Sequence, residues 1–286
     1  MQNRTDLALE LKEDAKESSL LSGIAVTTRI DASHHIKETK ITIKNRKGEE
    51  ALGKPKGQYI TIETKDLSRN DQGFHREMSD ALLSNLKSMI SEDSKILVAG
   101  LGNAGVTADS LGPKVVENLY ITRHLKKEGM IKEARELSAI APGVMAQTGI
   151  ETSEILEALV EKTKPDVMIA IDALAARSSK RLNRTIQISD TGIAPGSGVG
   201  NHRNEITRHT VGIPVLAIGV PTVISVPAII NDLLEEEEQE TAYKKLDKEF
   251  ISMHVTPKNI DESIRRISYT ISEGINQLLH IRENRE

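Results

Sequence analysis

From Lys95 to about Val220 the chain alternates short apolar runs with amphipathic segments, and this alternation constrains its fold more than any other feature of its 286 residues. The runs are KILVAGL, ELSAIAP, DVMIAIDAL, RTIQISD and PVLAIGV. Between them, a helix starting near Leu111 carries Val115 and Leu119 at a spacing of four. A second, from about Thr152, carries Ile155, Leu156, Leu159 and Val160 on one side. Apolar runs too short for helices and bounded by turns read as strands buried on both faces, and helices between them cover those faces. The expected fold is therefore α/β, with a mainly parallel sheet flanked by helices over residues 95–220.

The flanks add three elements. HIKETKITIKN and QYITIETKDL, with alternating β-branched residues on either side of GEEALGKPKGQ, predict a β-hairpin extension over 34–66. Residues 1–33 are polar and mixed in charge, with Leu7, Leu9 and Leu11 as the only early apolar cluster, and read as a leader and linker with little to hold them down. Beyond the acidic run Glu235–Glu238, taken as a solvated face, a helix over 260–280 aligns Ile260, Ile264, Ile267, Ile271, Ile275 and Leu278. Such a stripe serves a core or a subunit contact.

Composition removes several functions. The chain has no cysteine, so thiolate nucleophiles, disulfides and Cys-ligated zinc are excluded. A net charge of −4 gives no electrostatic footprint for direct nucleic-acid binding. No apolar run reaches the length of a signal peptide or a membrane span, so a cytoplasmic protein is expected.

Two carboxylates stand where an α/β sheet does its chemistry, at the carboxyl ends of strands. Asp109 follows the loop GLGNAG that leaves the first strand, and Asp172 ends the apolar run Val167–Ile171. Asp109 or Ser110 could instead merely cap the next helix, and spacing alone favours that reading. An ionisable group at the end of a buried strand, however, either anchors a loop or does chemistry. Two of them could share a proton and direct water at a carbonyl. Gly100, Gly102 and Asn103, by placement, could supply oxyanion donors. The long loop SDTGIAPGSGVGNHRNEIT, with Gly196, Ser197 and Gly198, is a candidate substrate loop; Ser197 lacks a nucleophile-elbow context. His202 and His209 lack metal-ligand spacing, and GLGNAG lacks a dinucleotide-site setting, so no cofactor and no metal are expected. RTDLALE, residues 4–10, reads on its own as a helix start.

Taken together and in order, RTDLALE, GLGN with VTADSLGP, APGVMAQTGIET, DVMIAIDALAAR, GIAPGSGVGNHR, IGVPTVI and MHVTPKNID resemble the spore germination protease family along nearly the whole chain. The resemblance implies an endopeptidase that starts the degradation of small acid-soluble spore proteins, working in the spore core as a homotetramer. It implies a zymogen that removes its own leader at an acidic residue followed by an apolar residue, Ala, a variable residue and Glu. Here that is Asp6-Leu7-Ala8-Leu9-Glu10, with scission between Asp6 and Leu7, a propeptide of residues 1–6 and a single protease domain over 7–286. It implies Asp109 and Asp172 as the catalytic pair and a fold similar to that of hydrogenase maturation proteases. Two readings compete: a metal-gated maturation protease, and a non-catalytic nucleotide- or phosphate-binding module built on the glycine-rich loop.

Overall fold

The computed structural model describes residues 5–14, 23–31, 36–65, 67, 71–200 and 203–279. Among the described residues nine strands form one sheet: β1 Ile24–Asp31, β2 Ile36–Ile43, β3 Gly57–Glu63, β4 Ile96–Gly100, β5 Leu137–Ile140, β6 Val167–Ala176, β7 Thr185–Ser189, β8 Val215–Ser225 and β9 His254–Val255. Their order is β1-β2-β3-β7-β8-β6-β4-β5, with β9 paired to β8. The half made of β8, β6, β4 and β5 is parallel, as the strand-helix alternation requires. The other half is antiparallel. β7 belongs to that half for a reason of length. Only the short 177–184 connection separates it from β6, too few residues to carry a crossover back to the start of a parallel strand.

Six helices bear on the argument: α1 Ala8–Asp14, α2 Arg46–Leu52, α3 Gln72–Met89, α4 Leu111–Glu117, α5 Thr152–Thr163 and α6 Ile260–Asn276. One face of the sheet, carrying Ile96, Val98, Ile169, Ile171, Ile186, Ile188 and Ile218, packs against α3, α4 and α6. The other, carrying Leu97, Ala99, Met168, Ala170 and Val215, packs against Leu156 and Val160 of α5. The chain leaves β4 over the first face to reach β5, then returns over the second face to β6 on the other side of β4. A crevice opens where such a sheet reverses direction, beyond the carboxyl ends of β4 and β6.

Two expectations change. The 34–66 hairpin forms as β2 and β3 and, because β3 pairs with β7, stands with β1 as the antiparallel edge of the main sheet; α2 replaces the expected simple turn between β2 and β3. The stretch expected to be loosely held is instead ordered where described. Residues 24–31 form β1. Leu7, Ala8 and Glu10 have no exposed surface, and Leu9 and Ala8 pack against Ile41, Ile43, Leu52 and Tyr59. Composition suggested otherwise because the groups that grip Asp6, Ala8 and Glu10 by hydrogen bonds are supplied from far along the chain, by Ala175, Gln187 and Ser178. Met1–Arg4 of the expected propeptide and His202 lie outside the described residues.

The C-terminal stripe resolves to core. Ile260, Ile264, Ile267, Ile271, Ile275 and Leu278 are all buried within this one chain, against α3 and α4. Ile267→Ala is expected to cost about 2–5 kcal/mol by leaving a cavity, read from the denaturant midpoint; a loss that varied with protein concentration would point to a subunit contact instead. The acidic run starts a helix, Glu236–Lys245, through a reciprocal capping box between Glu235 and Glu238. Among the described residues no helix is long and apolar enough to cross a membrane.

Candidate active site

The crevice holds a cavity of about 410 Å³ lined by Asp109, Asp172, Asp6, Asn103 and Gly196 among others. The geometry starts with glycines. A Cβ on Gly100, at the end of β4, would fall 2.3 Å from the Gly112 carbonyl oxygen, so bare backbone lets α4 sit directly on the strand. Gly102, at φ +106°, turns the following loop back on itself, and a Cβ there would fall 2.0 Å from the Asp109 carbonyl oxygen. That return brings Asp109, at the end of a 3₁₀ turn over Thr107–Asp109, to the mouth of the crevice. The Thr222 hydroxyl donates to the Ala108 carbonyl at 2.6 Å and ties the turn to β8.

Asp109 is not a helix cap. Ser110 occupies the N-cap position of α4 without a side-chain capping bond, and the Asp109 carboxylate reaches backward, accepting the Asn103 N–H at 2.8 Å. That backbone donor is thereby committed to Asp109. The Asn103 side-chain oxygen accepts from Gly105 N–H and from the Gln147 amide. Asp172 lies on β6 beyond the last residue paired with β4, is 4 % exposed, and accepts the Ala173 N–H at 2.9 Å. Burial pushes the Asp172 carboxyl well above its ordinary pKa, and the charges of Asp109 and then Asp6 push it further. Burial also raises Asp109, against the lowering effect of the Asn103 N–H. Of the residues picked from sequence, Asp109, Asp172, Asp6, Gly102, Asn103 and Gly196 meet at this cavity, while Ser197 and Gly198 touch its Asp6 wall. Gly100 lies behind it as a packing residue.

Asp6 is held along the part of β6 that runs past β4. Its N–H donates to the Ala175 carbonyl at 3.4 Å, and its carboxylate accepts from Ala175 N–H at 3.0 Å and from the Ser197 hydroxyl at 2.6 Å. The next peptides are gripped by a residue that sequence reading passed over. Gln187 of β7 donates from Nε2 to the Asp6 carbonyl at 3.2 Å and accepts the Ala8 N–H on Oε1 at 2.7 Å. Glu10 is fully buried; its carboxylate accepts the N–H groups of Arg177 and Ser178 at 2.9 Å each, pairs with Arg181 at 3.5 Å, and takes the Thr5 hydroxyl. Lys54 lines an adjoining cavity with Asp6 and Gln187. Burial lowers its pKa while Asp6 and Glu205 oppose that shift. Alternation within RTIQISD could have marked Gln187 as a polar side chain on a covered face; nothing local marked Lys54 or Arg181.

The family model for germination protease matches residues 3–236. The germination protease of Caldanaerobacter subterraneus subsp. tengcongensis is 44% identical over 306 residues, spanning 96% of this chain and 94% of its own. That of Clostridium perfringens strain SM101 is 41% identical over 305 residues, with 96% and 94% covered. That of Priestia megaterium is 47% identical over 247 residues, with 81% and 66% covered. Among solved structures, the [NiFe] hydrogenase maturation protease HycI from Thermococcus kodakarensis KOD1 covers 67% of this chain and 98% of its own at 18% identity and a TM-score of 0.38, a distant likeness. The family model and the relatives of 41–47% identity define a peptidase. The chain belongs to the germination protease family.

Proposed function

We propose that this protein is an endopeptidase of the aspartic kind that begins the breakdown of small acid-soluble spore proteins during germination, and that it is made as a zymogen which cuts itself between Asp6 and Leu7. The observation that carries the reading is that Asp6, the residue before the expected cut, lines the same cavity as Asp109 and Asp172 and lies close enough to Asp172 for its charge to act on it. The spore-core location and the homotetramer belong to the same proposal and rest on the family resemblance. The α6 stripe is used up in the core, so subunit contacts lie elsewhere.

The two carboxyls titrate as one coupled unit. Their raised pKa values let the pair keep a proton at a pH where a free carboxyl has lost it. One carboxyl hydrogen-bonds its proton to the scissile carbonyl oxygen while the other, ionised, takes a proton from water as the water oxygen attacks the carbonyl carbon. The tetrahedral intermediate then collapses. A proton passes to the Leu7 nitrogen, the carbon–nitrogen bond breaks, and a carboxyl at Asp6 and an amine at Leu7 remain.

Mass spectrometry of the purified full-length protein, incubated under mildly acidic conditions beside Asp109→Asn, tests the reading. Asn can still accept the Asn103 N–H, so the fold is expected to persist. Wild type should lose Met1–Asp6 and then digest a small acid-soluble spore protein, and the variant should do neither. Equal processing in both would move the chemistry away from Asp109.

A further inference from the structure

Residues 6–10 make polar contacts with the rest of the chain at chemically distinct points. One set surrounds the carboxylate before the expected cut, one grips the peptide groups on either side of it, and one surrounds the carboxylate four residues beyond. The sheet explains why these points are in line. Asp172 of β6 is paired with Gly219 of β8, and Gly219 with Gln187 of β7, so the three occupy one row. Residues paired across adjacent strands project from the same face, and two strand spacings separate Asp172 and Gln187 by roughly 10 Å. The middle member of the row has no side chain; a Cβ there would fall 2.4 Å from Leu174. The Asp6–Leu7 peptide, just ahead of α1, lies over this row, with the Gln187 amide bonded to the Asp6 carbonyl on one side and the Asp172 carboxylate on the other. Tyr59, under α1, is paired with Ser189, two residues from Gln187, so α1 lies on this same face.

We propose that residues 6–10 occupy the substrate groove as a substrate does, and that Gln187 holds the scissile peptide, Ser197 reads the acidic residue before it, and Arg181 with the Arg177 and Ser178 N–H groups reads a glutamate four residues after it. This rests on scission at Asp6–Leu7. It identifies the enzyme's own reading groups for an acidic recognition sequence in protein substrates. The Gln187 amide has one orientation that satisfies both of its contacts, nitrogen on the Asp6 carbonyl and oxygen on the Ala8 N–H, which fixes the register of the bond to be cut. As the carbonyl oxygen gains charge during attack, a donor already aimed at it stabilises that charge without reorganising. The Asp6 carboxylate has two donors, and Gly198 closes the pocket behind it: a Cβ on Gly198 would meet the carboxylate oxygen at 2.2 Å. Lys54 lines the adjoining cavity together with Asp6. For Glu10, two backbone N–H groups and a guanidinium meet a carboxylate that no solvent reaches, an arrangement that a glutamine cannot replace without leaving donors unpaired.

The test follows self-processing of the full-length protein, by loss of Met1–Asp6, in wild type, Gln187→Glu, Glu10→Gln and Gly198→Ala. Gln187→Glu keeps the acceptor for Ala8 and removes the donor to the carbonyl, and is expected to slow processing by about 10²–10³-fold. Glu10→Gln is expected to slow it at least tenfold, and Gly198→Ala to abolish it by expelling Asp6. Because a substitution can also disturb folding, processed wild-type enzyme is assayed in parallel on a synthetic peptide of residues 3–12 and on copies with its Asp changed to Asn or its Glu changed to Gln. The expected result is a fall in kcat/KM of at least tenfold for each altered peptide, and an Arg181→Ala enzyme whose preference for Glu over Gln is smaller than that of wild type. No self-processing and no cleavage of the parent peptide by wild type removes the proposed function and this inference with it. Cleavage of all three peptides at equal rates, or Gln187→Glu processing at the wild-type rate, overturns this inference alone.

Discussion

Asp172→Asn is expected to slow peptide cleavage by about 10²–10⁴-fold and, at neutral pH, to raise the melting temperature. The two effects share one cause. The Asp172 carboxyl is buried, and both Asp109 and Asp6 press on it with like charge, so its pKa in the folded protein lies well above the ordinary 3.8. Below that ordinary value the folded and unfolded chains both hold the proton and the group is neutral to stability. As pH rises past it the unfolded chain ionises freely, whereas the folded chain must keep its proton or bury a charge, and stability falls until the folded pKa is passed. Asparagine carries no such burden and can still accept the Ala173 N–H. The gap in melting temperature between variant and wild type should therefore open above pH 3.8 and stop widening beyond the folded pKa. A variant less stable than wild type at neutral pH would mark Asp172 as a structural anchor, and full activity would remove it from the chemistry.

Gly100→Ala is expected to destabilise the fold at the upper end of the range for overpacking, about 1–3 kcal/mol, and to depress cleavage with it. The added methyl would sit 2.3 Å from the Gly112 oxygen and 2.5 Å from the Gly112 carbonyl carbon, and also 2.7 Å from Val116. A side chain can swing away, but the backbone of α4 cannot without separating from β4. Asp109 sits in the turn between those two elements, so relief of the clash moves a carboxylate of the pair. The urea midpoint reads the first effect and peptide cleavage the second; an unchanged midpoint would mean that β4 and α4 part at no cost.

The fold was legible wherever a segment carried its reason within itself. The runs around Val98, Ile169 and Ile218 are apolar because both faces of their strands are covered, and the stripes on α4 and α5 mark the covering helices. Asp109 and Asp172 stood out because chemistry in such a sheet collects at strand ends. The segment's own sequence could not decide between capping and catalysis for Asp109, because the deciding partner, Asn103 N–H, is supplied by a loop that only Gly102 allows to double back. Nor could composition reveal that residues 5–14 are gripped, since the hydrogen-bonding partners of Asp6, Ala8 and Glu10 lie about 170–190 residues along the chain. The α6 stripe was ambiguous for a related reason: an isoleucine face needs an apolar partner, and nothing in its own sequence says whether that partner is the same molecule.

The Leu7 N–H has a close partner with a further consequence. It donates to the Thr5 hydroxyl at 3.1 Å, Thr5 also caps the Glu10 carboxylate, and Leu7 has no exposed surface. Scission between Asp6 and Leu7 would turn that neutral N–H into an α-ammonium on a residue with no exposed surface and, as the leader departs, take away the acceptor it had. A buried unpaired charge is far costlier than a buried amide. Cutting would thus convert the best-docked segment of the precursor into a poorly tolerated one, so that the reaction ejects its own product from the groove and acts as a one-way ratchet, with no separate displacement step needed to clear the way for the next chain.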